Sequence, residues 1–181
     1  MLREQRWNIE LNTLLMIMKI SGIVEESVVD GPGIRFTIFF QGCTHNCYKC
    51  HNPDTHDINK GKEMSIDEII SKIKKYPYLD GVTLSGGDPL MQIDDCLSLC
   101  KRIKEELNLN IIVYTGYTYE QILKLENNNY RELLNYIDYL VDGPFVYSLL
   151  DLSLKYKGSS NQRIINVKET LKRGGIIVEE I

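Results

Sequence analysis

Three of the chain's five cysteines fall within one short stretch, Gln41-Gly42-Cys43-Thr44-His45-Asn46-Cys47-Tyr48-Lys49-Cys50-His51-Asn52-Pro53. Cys43, Cys47 and Cys50 are separated by three and then two residues. On an irregular loop, thiols so spaced can converge on one centre, where a bound metal holds them as thiolates. Two kinds of centre suit them. A zinc ion would add His45, His51 or His56 to complete a tetrahedron. A cluster of four irons ordinarily takes four cysteines; with only three close together, one iron stays open to a further ligand, which suits a substrate site better than a simple electron relay. The other two cysteines, Cys96 and Cys100, lie on the apolar stripe of an expected helix and read as core.

A second group is Ser85-Gly86-Gly87-Asp88-Pro89, at the C-terminal end of an expected strand, where α/β folds place ligand sites. Its glycines let the backbone come close to a ligand, and exposed carbonyls there can accept bonds from an ammonium group. Taken alone the sequence is a turn, as is Asp30-Gly31-Pro32-Gly33. No Ser/His/Asp arrangement or pair of carboxylates suggests acid–base or nucleophilic catalysis.

The segments that must hold these loops alternate between short apolar runs and helical stretches. Residues 19–24 and 35–41 read as strands around the Asp-Gly-Pro-Gly turn, and 42–62 as an irregular loop. Ser65 and Glu68 form a capping box ahead of Ile66, Ile69, Ile70 and Ile73 at helical spacing. Strands follow at 81–85, 110–115 and 139–142, with helices at 92–107, 118–126 and 130–137 between them. Residues 145–163 read as loop, and a last strand and helix, or strand pair, fills 164–181. Strands alternating with helices imply right-handed crossovers, hence an α/β domain with a mostly parallel sheet.

At 181 residues, with 43% hydrophobic and 25% charged side chains, the chain suits one globular domain. A net charge of −4 and the lack of a basic stripe exclude nucleic acid and an anionic membrane as main partners. No segment is long and apolar enough for a membrane span. Residues 1–17 contain a short apolar run at 14–18 but no cleavage signal, and read as an N-terminal extension to a domain over 18–181. A cytoplasmic location is expected, and there the cysteines are not disulfides.

Taken together, Cys-x3-Cys-x2-Cys and Gly86-Gly87-Asp88-Pro89 resemble the signatures of the radical S-adenosylmethionine superfamily. Asp30-Gly31-Pro32-Gly33-Ile34-Arg35 resembles the entry sequence of its glycyl-radical-enzyme activases. With Thr115-Gly116-Tyr117, Val141-Asp142-Gly143-Pro144-Phe145 and Gly158-Ser159-Ser160-Asn161-Gln162 in order, residues 18–167 are similar to the activating proteins of anaerobic ribonucleoside-triphosphate reductases.

The resemblance implies an incomplete, laterally open (β/α) barrel. It also implies a [4Fe-4S] cluster on Cys43, Cys47 and Cys50, with S-adenosyl-L-methionine as cofactor. Cofactor contacts would fall on Lys49, Cys50, His51, Gly86, Gly87 and Asp88, the last replacing the usual Glu. Lys49 stands where the superfamily often has an aromatic residue against adenine; Tyr48 or His51 would stand in. The implied partners are the large reductase subunit, which receives a glycyl radical, and a one-electron donor such as flavodoxin. The alternatives are an activase of pyruvate formate-lyase or a similar enzyme, and, in another class, a zinc-stabilised binding module or electron carrier.

Overall fold

The computed structural model describes residues 16–181. The expected extension therefore lies outside the described residues except for Met16 and Ile17. Among the described residues, seven strands form one open sheet: β1 (Ile17–Ser27), β2 (Arg35–Phe40), β3 (Lys62–Ser65), β4 (Gly81–Gly86), β5 (Asn110–Tyr114), β6 (Tyr139–Asp142) and β7 (Arg163–Asn166), in the order β3-β1-β2-β4-β5-β6-β7. The expected mostly parallel sheet is instead mixed. Its centre, β2-β4-β5-β6, is parallel, and both margins are antiparallel.

Connection length explains the difference. Residues 28–34 are too few for a crossover, so β2 returns antiparallel to β1. Residues 143–162 carry only one short 3-10 turn and are spent over the sheet's far face, so β7 also runs back on β6. β3 falls at the end of a segment expected to be loop. Its sequence Lys-Glu-Met-Ser has no apolar alternation, and it is held by pairing with the start of β1. Exposed charges on such a margin discourage pairing with another chain.

The described residues also form five α-helices: α1 (Ile66–Ile73), α2 (Ile93–Arg102), α3 (Tyr119–Ile122), α4 (Asn129–Leu133) and α5 (Val167–Arg173). The expected capping box of Ser65 with Glu68 forms, and Thr118 makes a second one with Gln121. α3 is shorter than its expected 118–126, and the Arg131 guanidinium donates to the Leu123 and Leu125 carbonyls that the early ending leaves free. Strand alternation sorts side chains onto two faces. Phe36, Ile38, Phe40, Val82, Leu84, Ile111 and Val113 share one core with residues from all five helices. Cys96 and Cys100 are buried in that core, as expected. Among the described residues, the opposite face carries no α-helix.

Arg163 at the start of β7 holds Glu120 of α3 at 2.8 Å and Asp142 of β6. The Arg163 guanidinium lowers the Glu120 carboxyl from 4.5 to about 2. A folded value below the unfolded one gives stability that is present above pH 4.5 and lost as pH falls towards 2. Glu120 is half exposed, so solvent screening limits the effect to less than about 1 kcal/mol. Urea titrations of a Glu120→Gln variant are expected to show a shallower loss of stability through that window. A slope equal to the wild type's would remove Glu120 from the account.

Candidate active site

The four parallel strands all end at one cavity of about 610 Å³ on the helix-free side of the sheet. After β2 comes the cysteine loop, after β4 Gly86 and Gly87, after β5 Thr115 and Gly116, and after β6 Gly143 and Phe145. This is where parallel strands expose free backbone groups and loops can converge.

The cysteine loop is tied at its base. The Gln41 amide donates to the Asp54 and Asp57 carbonyls at 3.0 and 2.8 Å. The Gln92 amide donates to the carbonyls of Gln41 and Lys19 at 2.8 Å each. Gly42 N–H donates to Thr55 O and Cys43 N–H to His56 O, at 2.7 and 3.1 Å. Within the loop, Asn46 and Lys49 have left-handed φ of 48° and 54°, each immediately before a cysteine. Such reversals are uncommon for residues with a side chain, and here Cys43, Cys47 and Cys50 all line the cavity. Asn52 N–H donates to Cys50 Sγ at 3.4 Å. Burial pushes the Cys43 thiol up, opposed by a hydrogen bond from the His45 backbone.

The donor set fits an iron–sulfur cluster: three free thiols face a roomy cavity on a loop whose base is tied by main-chain hydrogen bonds. Among the described residues, no three His, Cys, Asp or Glu side chains gather closely enough to enclose one metal ion. Thiolates that each hold a different iron need no such convergence.

The remaining sequence-expected residues divide. Gly86 and Gly87 line the cavity, but their close approach is to protein. A Cβ at Gly87 would lie 2.3 Å from the Gly42 carbonyl oxygen, and Gly86 has a φ of 102°. His51 lines the cavity and packs on Phe145, ring centroids 4.7 Å apart. Lys49 points away from it, its Nζ 3.1 Å from the Tyr147 hydroxyl and 4.3 Å from that ring's centre. Asp88 lies behind the wall, fully buried, bound to Leu90 N, Thr115 Oγ1, Gly116 N and His45 Nε2. Of the histidines, His45 Nε2 is thus engaged, and His56 Nε2 is buried without a partner.

Sequence reasoning passed over Phe39, Tyr114 and Tyr156 and read Asp30 only as part of a turn motif; all four also line the cavity. Burial raises the Tyr114 hydroxyl well above its ordinary value. Alternation along β2, β4 and β5 carried the signal, since it puts Phe39, Ser85 and Tyr114 on the face without helices. Gln162 joins two sequence motifs: its Oε1 accepts from Gly158 and Ser159 N–H, and its Nε2 donates to Gly143 O at 3.0 Å.

A family described as 4Fe-4S single cluster domain matches residues 29–165. The chain is 39% identical over 149 residues to the anaerobic ribonucleoside-triphosphate reductase-activating protein of Salmonella typhi, covering 78% of this chain and 94% of that protein. It is 40% identical over 129 residues to the pyruvate formate-lyase-activating enzyme of Clostridium pasteurianum, covering 68% of this chain and 51% of that protein. A crystal structure of QueE from Escherichia coli aligns with a TM-score of 0.47 and 19% identity, covering 59% of this chain and 56% of that one.

Proposed function

The chain belongs to the 4Fe-4S single cluster domain family and to the anaerobic ribonucleoside-triphosphate reductase-activating proteins, and from that premise we propose that it forms the glycyl radical on such a reductase. The observation that carries the reading is the meeting of Cys43, Cys47, Cys50, Gly86 and Gly87 at one cavity. With a cluster bound, the chemistry supplied there would be transfer of one electron to S-adenosylmethionine, whose cleavage to methionine and a 5′-deoxyadenosyl radical would let the latter take a hydrogen atom from the reductase's glycine.

The protein's own share is holding, orienting and excluding water. Cys43, Cys47 and Cys50 would each hold an iron, which would leave the fourth open to the cofactor. Gly86 and Gly87 offer main-chain carbonyls to the cofactor's ammonium group. Cys50 and His51 take the adenosyl side, with Lys49 reaching it only through its main chain. Asp88 serves from behind the wall. Phe39, Phe145 and Leu154 line the cavity with apolar surface that excludes water.

Helices on one face and a cavity on the other support an incomplete barrel over residues 18–181, open laterally to a macromolecular partner. The large reductase subunit is that partner, and flavodoxin or a similar protein is the electron donor. No helix among the described residues is long and apolar enough to cross a membrane, and we place the reaction in the cytoplasm.

The test is anaerobic reconstitution with iron and sulfide, followed by reductant and S-adenosylmethionine, with and without the reductase. Expected are 5′-deoxyadenosine and a glycyl radical signal on the reductase. Product without that signal would move the partner to a sister enzyme such as pyruvate formate-lyase, a reading the shorter overlap with that activase disfavours. No product from a loaded cluster would leave an electron carrier, and zinc in its place a structural module.

A further inference from the structure

We propose that His45 is a positioning residue for the reaction: through it Asp88 grips the cysteine loop and fixes the cluster's thiols against the Gly86–Gly87 wall. The proposal rests on the cluster and S-adenosylmethionine reading above and gives Asp88 a different task from the direct cofactor contact its place in the sequence implies.

Acceptor capacity is the first observation. A carboxylate offers about four lone-pair sites. Asp88 Oδ2 accepts from His45 Nε2 at 2.6 Å, Thr115 Oγ1 at 2.9 Å and Gly116 N at 3.0 Å. Oδ1 accepts from Leu90 N at 2.9 Å. Asp88 is 0% exposed and does not line the cavity. With three donors on Oδ2, one on Oδ1 and no exposed surface on either side, it is closed to a ligand's ammonium group from the cavity.

The second observation is the seat of the imidazole. His45 lies between Cys43 and Cys47, and its ring does line the cavity. The carboxylate only accepts, so Nε2 carries the proton it donates. The ring lies against Gly116, where a Cβ would be 2.4 Å from the imidazole Cδ2. Tyr117 meets it edge-on, with centroids 4.6 Å apart. The imidazole is therefore gripped by the loops after β4 and β5 while its backbone belongs to the loop after β2. Glycine at 116 is required because the ring needs the space.

Two roles for Asp88 make different demands on a double-mutant cycle. If Asp88 acts through His45, removing either partner breaks the same link. We would prepare His45→Leu, Asp88→Asn, the double variant and His45→Gln, each anaerobically reconstituted. Iron and sulfide content, the electron paramagnetic resonance spectrum of the reduced cluster during S-adenosylmethionine titration, and KM and kcat for 5′-deoxyadenosine would be read.

Expected is retained iron in all four, with S-adenosylmethionine binding weakened about tenfold in each of the first two, a size within the usual range for coupled neighbours. The double variant should be no weaker than either single, and His45→Gln, which keeps a donor at that reach, should recover most of the loss. Normal binding in His45→Leu beside lost binding in Asp88→Asn, or additive losses, would overturn the proposal. If His45→Leu takes up no iron, Gly116→Ala displaces the ring without removing it. Weakened binding there with iron retained supports the proposal, and lost iron or unchanged binding overturns it. A loaded wild-type cluster whose spectrum ignores S-adenosylmethionine refutes the functional reading itself, and is seen before any variant is compared.

Discussion

Replacing Cys47 by alanine is expected to lower bound iron and sulfide from about four of each per chain to well under one, and 5′-deoxyadenosine formation by at least about a thousandfold. With two thiols left at the cavity, a cluster loses its hold on a second iron as well as the open one. The fold should survive, because the hydrogen bonds that tie the base of the loop run through Gln41, Gln92 and the main chain and none of them uses the Cys47 sulfur. An unchanged far-ultraviolet circular dichroism spectrum alongside lost iron would separate ligation from folding. Cys96→Ser, in the helix-side core, should keep its iron. Full cluster content in Cys47→Ala would sink the ligand assignment.

The largest expected effect on stability belongs to Arg35. It is 1% exposed yet has no carboxylate partner among the described residues. Nε donates to Thr83 Oγ1 at 2.7 Å, and the terminal nitrogens to the carbonyls of Pro32, Val82 and Asn110 and to Asn110 Oδ1. Burial pushes the guanidinium down to about 10, which leaves it charged at neutral pH. Two glycines make room for it: a Cβ at Gly31 would lie 2.7 Å from Arg35 Cδ, and one at Gly81 2.6 Å from Nη1.

An apolar replacement removes a costly buried charge but leaves several acceptors without donors and a void the glycines cannot fill. Those losses win. For Arg35→Leu we expect about 3–5 kcal/mol of destabilisation, measured as a lower urea midpoint. Arg35→Lys, with one nitrogen in place of a fork, should recover only part of it. Asp30 and Val29, which line the cavity, would lose the anchor beneath their loop, so cofactor binding should weaken even where the protein remains folded. A loss below about 1 kcal/mol would show that water replaces the guanidinium's bonds.

The sequence made the site's centre legible because its chemistry is local. Cysteines spaced over eight positions and a Gly-Gly pair after a strand carry their meaning in a few adjacent letters. The strands and long helices were legible for a similar reason: 139–142 matched β6, and 92–107 covers α2 together with one π turn ending at left-handed Asn108. β3 was hidden because an edge strand held by backbone pairing needs no apolar pattern. The sheet's antiparallel margins were hidden because alternation of elements says nothing about the direction of a connection that lacks a helix. What Asp88 does was not legible either. Its partners stand 43 residues before it and 27 and 28 after it, and only the folded chain brings them together.

The clamped base of the cysteine loop bears on how such a protein lives with oxygen. Since Gln41, Gln92 and the main chain tie the base of the loop without using sulfur, the receptacle exists before its contents. Oxidative loss of the cluster would then empty a vessel that keeps its form, and recovery is a matter of refilling rather than refolding. A cell returning to anaerobic growth could restore this activity from protein it already holds, at the pace of iron and sulfide delivery and not of new synthesis.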